Sequence, residues 1–194
     1  GIHRSPLHDA LKAEGAVMGE LAGWERANWF ADEGQTAEYQ YAWKRQNWFG
    51  NAAREHKAIR ENVGIYDMSS FGKIRVDGPD AEAYLNYISA SNLSVPTGKI
   101  VYSQFLNTRG GIEADVTVTR LSETAYLVVT PAATRLADQE WMRRHTGDYR
   151  VTLTDMTAAE AVICVMGPNA RTLLERVSPN DFSNGTNPFG TLQE

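Results

Sequence analysis

One aspartate offers the most direct chemistry in this sequence. Asp115 lies in Ile112-Glu113-Ala114-Asp115-Val116-Thr117-Val118-Thr119-Arg120-Leu121, just after the turn residues Asn107-Thr108-Arg109-Gly110-Gly111. A strand has a side-chain period of two, which puts Asp115, Thr117 and Thr119 on one face and Ala114, Val116 and Val118 on the other. Aspartate is disfavoured inside strands, so this position calls for either a solvated face or a polar pocket. In a pocket, a carboxylate can balance developing positive charge and accept a proton. Asp67, within Gly64-Ile65-Tyr66-Asp67-Met68-Ser69, reads as a turn or cap carboxylate. Cys164 sits in the apolar run Ala161 to Met166 and reads as a small hydrophobe in a buried strand. The histidines at 3, 8, 56 and 145 are scattered and have no metal-ligand spacing. The glycine-rich dinucleotide and phosphate loops, the hydrolase elbow, the zinc-protease helix motif and paired Cys-x-x-Cys are all absent from the sequence.

The elements that must hold these residues follow from periodicity. Ala52, His56, Ile59 and Val63 recur at helical steps, predicting a helix to about Asn62 with His56 in the core or at its boundary. Gly64 to Val76 reads as strand, turn, strand, and Asp77-Gly78-Pro79-Asp80 opens a second helix with Ala81, Leu85 and Ile88 inward. Strands are predicted at 99–106, 112–121 and 126–130, joined by short connections as an antiparallel meander. A helix over about 132–144 should turn Ala133, Leu136, Ala137 and Trp141 inward. Two further strands, at 151–154 and 161–166, precede a last helix with Ala170, Leu173, Leu174 and Val177 on one face. The predicted class is α+β, an antiparallel sheet with packed helices.

Residues 1–50 differ from the rest. Four of the five tryptophans lie there without a sustained period, which reads as a connector or docking segment preceding a domain at 51–194. After Ser178 the chain turns to Pro, Asn, Ser, Gly and Thr with no further element, an odd end for a complete protein. With 194 residues the chain can bury a core without disulfides or a structural metal. A net charge of −5 gives no global field for a nucleic-acid backbone. No run approaches the roughly 18 apolar residues of a membrane span. These features predict a soluble intracellular chain with neither nucleic-acid nor membrane partners.

Three blocks, Gly64 to Ser69, Asn107 to Val118 and Val165-Met166-Gly167-Pro168-Asn169-Ala170, resemble in order and spacing the N-terminal half of the aminomethyltransferase (glycine cleavage T-protein) fold. The segments Ser5 to Lys12, Gly15 to Glu20 and Gly23-Trp24-Glu25-Arg26-Ala27-Asn28-Trp29-Phe30 resemble the connector of dimethylglycine and sarcosine dehydrogenases. The resemblance implies the folate-binding portion of an FAD-dependent enzyme. That enzyme would pass a one-carbon unit from an oxidised N-methyl amine to tetrahydrofolate, giving 5,10-methylenetetrahydrofolate. Tetrahydrofolate is then the cofactor of this chain, and FAD belongs to the full-length protein only. The implied partners are a methylated-glycine-type substrate and the remaining flavin and C-terminal domains of the same protein. The implied location is cytoplasmic, or the mitochondrial matrix in a eukaryote. Asp115 matches the carboxylate placed beside the reactive amines of the folate. Tyr102 and Tyr126 match positions lining the folate pocket, with plain core packing as their alternative reading, and Phe71 matches an apolar pocket residue. Ala114 stands where the wider family has the first of two acidic residues, which fits the dehydrogenase branch. The alternatives are a T-protein-like aminomethyltransferase, a non-catalytic folate-binding module of the same fold, or a folate-dependent demethylase.

Overall fold

A computed structural model describes residues 1–193. In chain order the elements are α1 (His8–Ala13), β1 (Ala16–Leu21), β2 (Trp24–Phe30), α2 (Phe49–Glu61), β3 (Gly64–Asp67), β4 (Gly72–Asp77) and α3 (Ala81–Ile88). They continue with β5 (Ile100–Leu106), β6 (Ile112–Arg120), β7 (Ala125–Thr130), α4 (Arg135–Arg144), β8 (Thr152–Asp155), β9 (Ile163–Met166) and α5 (Ala170–Val177). The chain divides into two units, Gly1–Ser70 with Ala161–Phe182, and Phe71–Glu160 with the segment from Ser183.

In the first unit, β1 and β2 form an antiparallel hairpin with a register shift between Val17 and Met18. Trp24 and Trp29 are buried on it, while Trp43 is fully exposed. A regular hairpin therefore stands where the sequence showed no period, because the bulge breaks the alternation that the eye looks for. β3 pairs with β9, from the far end of the chain, and not with β4, its neighbour in sequence. Helix α2 forms as predicted, but His56 is exposed with its Nδ1 2.9 Å from the Ala52 carbonyl, and Ala52 and Ile59 are only half-buried. Cys164 is likewise half-buried, not fully enclosed, and the burial it has raises its thiol pKa. α5 keeps its predicted apolar spacing, yet none of its residues is fully buried.

The second unit is a five-stranded antiparallel sheet in the order β5-β6-β7-β4-β8. The meander β5-β6-β7 is as expected, and β4 adds beside β7. One face carries the core: Ile74, Val76, Phe105, Val116, Val118, Tyr126 and Val128 from the strands, closed by Tyr84, Leu85 and Ile88 of α3 and Met142 of α4. The predicted inward stripe of α3 is correct. That of α4 is not. Asp138, Gln139 and Met142 point inward, whereas Ala133, Leu136 and Ala137 are exposed and Trp141 is half-buried. The reason is a polar anchor: the Asp138 carboxylate accepts hydrogen bonds from the Thr130 hydroxyl and, at 2.8 Å, from Thr134 Oγ1. Two charge-assisted bonds at a buried site outweigh the burial of two alanines and a leucine in setting the rotation of the helix.

Candidate functional site

The site grows from the β5-β6 hairpin. Its turn is built by Asn107, whose Oδ1 accepts from the backbone N–H of Arg109 at 3.0 Å and of Gly111 at 2.9 Å. Gly110 sits at φ +77°, a conformation that side-chain-bearing residues rarely adopt, and its N–H closes the turn on the Asn107 carbonyl at 2.9 Å. This turn, together with a register shift between Phe105 and Leu106, pairs Tyr102 with Thr117 and Gln104 with Asp115. Directly paired residues project to one face of a sheet, so these four side chains rise together from the face opposite the core.

Gln104 Nε2 donates to Asp115 Oδ1 at 3.1 Å. A hydrogen bond to the Asp115 carboxylate holds the Tyr102 phenol above its usual pKa, with desolvation and the negative charge of Asp115 acting in the same direction. The carboxylate thus has a phenol and an amide as immediate neighbours. Its surroundings are open: Asp115 is exposed and Tyr102 is 64% exposed. Of the two readings of the aspartate face, the solvated one describes it. The enclosed, inward-facing pocket is not formed among the described residues.

Two other expected site residues lie elsewhere. Tyr126 is fully buried on the core face, its hydroxyl 3.4 Å from Glu82 Oε2 and 3.3 Å from the Leu93 carbonyl oxygen. Burial is the main cause that raises its phenol pKa. It is a packing residue, on the other side of the sheet from Asp115, because β7 register turns alternate residues to opposite faces. Phe71 is half-buried just before β4, which is separated from β6 by β7. Its carbonyl accepts from the buried Lys73 Nζ at 3.0 Å. Asp67 takes the turn role expected of it, accepting from the Ser69 N–H at 3.0 Å and from the Ser5 hydroxyl. Gln104 was missed by motif reading. Counting outward from the turn would set Gln104 opposite Ala114; a register shift between Phe105 and Leu106 moves it opposite Asp115, and no motif signals that shift. No cluster of residues suited to a metal ion occurs among the described residues, and none of the described helices is long and apolar enough to cross a membrane.

A family model described as the GCVT N-terminal domain matches residues 7–194. The chain belongs to that family. The matched residues include the tryptophan-rich hairpin. Among curated relatives, 4-methylaminobutanoate oxidase (formaldehyde-forming) of Paenarthrobacter nicotinovorans is 44% identical over 94% of this chain and 22% of its own length. Mitochondrial dimethylglycine dehydrogenase of Mus musculus is 33% identical over 95% of the chain and 21% of its own length. The chain therefore spans only about a fifth of these relatives. The crystal structure of glycine cleavage system aminomethyltransferase T from Bartonella henselae superposes with a TM-score of 0.76 at 24% identity, covering 91% of this chain and 44% of that one. That likeness establishes the aminomethyltransferase fold in its α+β form, and the family's characterised relatives are enzymes.

Proposed function

We propose that this chain is the folate-binding portion of an FAD-dependent dimethylglycine or sarcosine dehydrogenase-like enzyme, with Asp115 as its catalytic carboxylate. The observation that carries the reading is the cluster of Asp115, Tyr102 and Gln104 on the open face of the sheet, within a chain of the GCVT N-terminal family. The donor set fits an amine-bearing heterocycle: one carboxylate for an amine N–H, one phenol ring for stacking and one amide for orientation. When bound, tetrahydrofolate supplies the amine that takes up the one-carbon unit.

The chain's own residues do the rest. Asp115 holds the amine by a hydrogen bond, balances positive charge as the new carbon–nitrogen bond forms, and accepts the proton that the amine loses. Gln104 fixes Oδ1 of the carboxylate, and the Tyr102 hydroxyl donates to the same carboxylate. Tyr102 offers an aromatic surface at the same height on the sheet. Phe71 is kept as an apolar neighbour of the ligand, and Tyr126 is not part of the proposal. The substrate is a methylated-glycine-type amine oxidised at FAD in the remainder of the protein, and 5,10-methylenetetrahydrofolate is the product. The cytoplasm, or the mitochondrial matrix in a eukaryote, is the proposed location, supported by the mitochondrial relatives.

A second reading has a specific observation behind it: the bacterial oxidase at 44% identity is named for forming formaldehyde. On that reading the carbon leaves unbound. One experiment tests both. In the full-length protein, Asp115→Asn should slow methylene transfer to tetrahydrofolate by roughly 10²–10⁴ while amine oxidation continues and formaldehyde accumulates. Equal loss of both activities, or of neither, refutes the assignment. Wild-type protein that yields formaldehyde at the same rate with and without tetrahydrofolate supports the second reading.

A further inference from the structure

Residues 38–47 form a loop of the first unit that is held in place and yet turned outward. Two amide side chains staple its backbone. Ala42 donates its N–H to Gln46 Oε1 at 3.1 Å, and its carbonyl accepts from Gln46 Nε2 at 2.7 Å. Asn47 Oδ1 accepts from the Gln40 N–H at 3.2 Å, and its Nδ2 donates to the Glu38 carbonyl at 2.8 Å. Rings anchor the loop further: Tyr39 meets the buried Trp29 edge-on at 6.3 Å and stacks on Tyr41 at 5.8 Å.

What this loop presents is aromatic and basic. Tyr41 is 86% exposed and Trp43 fully so. Lys44 and Arg45 follow, both exposed and neither in an ion pair among the described residues, with the Arg45 guanidinium 4.5 Å over the Phe49 ring. Ordering a loop costs conformational entropy, and within this unit no burial of Tyr41 or Trp43 offsets it. A preordered display of Trp, Tyr and Arg is the make-up of an interface anchor.

Charge and size choose the occupant. Two unpaired cations ask for an acidic face. A free-standing complex needs about 20–30 residues a side, far more than the loop offers, which disfavours a separate protein or a second copy. On an anionic lipid surface two cations contribute about 1 kcal/mol each, short of stable attachment. A partner in the same polypeptide is different, because tethering holds it at an effective concentration of about millimolar, where a small patch suffices. The longer relatives carry most of their length outside the part that matches this chain. We propose that the loop docks on an acidic face of the flavin-bearing part of the same polypeptide, with Trp43 as the anchor and Lys44 and Arg45 paired to carboxylates. The inference rests on reading this chain as a portion of a flavin enzyme, but not on the role of Asp115.

The test uses the full-length protein, its flavin content read from visible absorbance. A water-soluble carbodiimide joins an amine to a carboxylate in contact with it, and peptide mapping should find Lys44 linked to an Asp or Glu of the flavin-bearing part. Hydroxyl-radical footprinting should find Trp43 at least about tenfold less oxidised in the native protein than in the same protein unfolded in urea. That protection should fall to about twofold or less in the double variant Lys44→Glu, Arg45→Glu, and in about 1 M salt, where the screening length is about 3 Å. A native Trp43 oxidised as fast as the unfolded one overturns the proposal, as does protection that neither the variant nor salt changes. So does a Lys44 link to nothing, to another part of the chain or to a second copy, the last detected by mixing ¹⁵N-labelled and unlabelled protein. Protection that appears only with anionic vesicles overturns it too. Full-length protein without flavin refutes the proposed function as well, whereas flavin-bearing protein with an uncovered Trp43 refutes this inference alone.

Discussion

Replacing Gly78 with alanine probes the sheet that carries Asp115 at its most crowded backbone approach. Gly78 lies at φ +147°, where an L side chain is strained, and a Cβ there would stand 2.9 Å from Val151 Cα and 3.0 Å from the Arg150 carbonyl carbon, with the carbonyl oxygen nearer still. Carbon–carbon contacts are comfortable at about 3.5–4.0 Å, so the backbone of residues 150–151 must retreat by at least about half an ångström. That backbone leads directly into β8, whose first pair is Asp77 with Thr152. Backbone strain of about 1–3 kcal/mol and one weakened ladder hydrogen bond of about 1 kcal/mol give a loss of about 2–4 kcal/mol. For a chain of this size that lowers Tm by about 4–16 °C. Scanning calorimetry measures it. A second readout is local, because Asp80 clamps the same segment: its Oδ2 accepts from Arg150 N and Nε, both at 2.8 Å, and its Oδ1 from Nη2 at 3.0 Å. Those bonds hold the Asp80 carboxyl at a pKa of about 2, and the alanine variant should let it climb towards the ordinary carboxylate range in a carboxyl NMR titration. A Tm within about 2 °C of wild type, or an unmoved Asp80 titration, would refute the reasoning.

Four further outcomes follow from local surroundings. In the native protein Asp80 titrates below its usual value, so its contribution is present above about pH 4, the unfolded range, and is lost as pH falls through its folded value of about 2. Arg150→Met, which keeps the backbone N–H at 150 but loses the guanidinium, should reduce this acid-limb dependence in denaturation curves recorded from pH 2 to 5 (roughly the span between the two values). Tyr84→Phe deletes a buried hydroxyl that donates to the Met142 carbonyl at 2.7 Å, a carbonyl that still accepts from the His145 N–H at 3.1 Å, and should cost about 0.5–1.5 kcal/mol in urea unfolding. Burial raises the Tyr84 phenol pKa beyond the usual tyrosine range, so its phenolate should not appear before the fold is lost in alkali. Asp115→Asn should lower the Tyr102 phenol pKa towards its ordinary value, as read by ¹³Cζ tyrosine NMR; a Tyr102 titration indifferent to that change would mean the two side chains do not interact.

How far the site was legible depended on range along the chain. The turn Asn107 to Gly111, the strands on either side and the sharing of one face by Asp115 and Thr117 came from local rules of glycine conformation and strand period. The family blocks pointed to Asp115 and Tyr102, which the structure places together, and to Tyr126, which it buries behind the sheet. Position matching could not make that distinction.

By itself the sequence determined the identity and order of the elements from α2 onward, the β5-β6-β7 meander and the inward stripe of α3. In each case the information is carried by residues a few positions apart, whose burial pattern repeats with the geometry of one helix or one hairpin. Tertiary structure alone decided that β3 joins β9 while β4 joins β7 and β8, that α4 turns on its Asp138 anchor with its alanines outward, and that Tyr102 and Tyr126 lie on opposite faces. Those outcomes depend on partners tens of residues away. A strand's edge, a buried carboxylate and a phenol each accept more than one neighbour, and only the packed chain selects which one they meet.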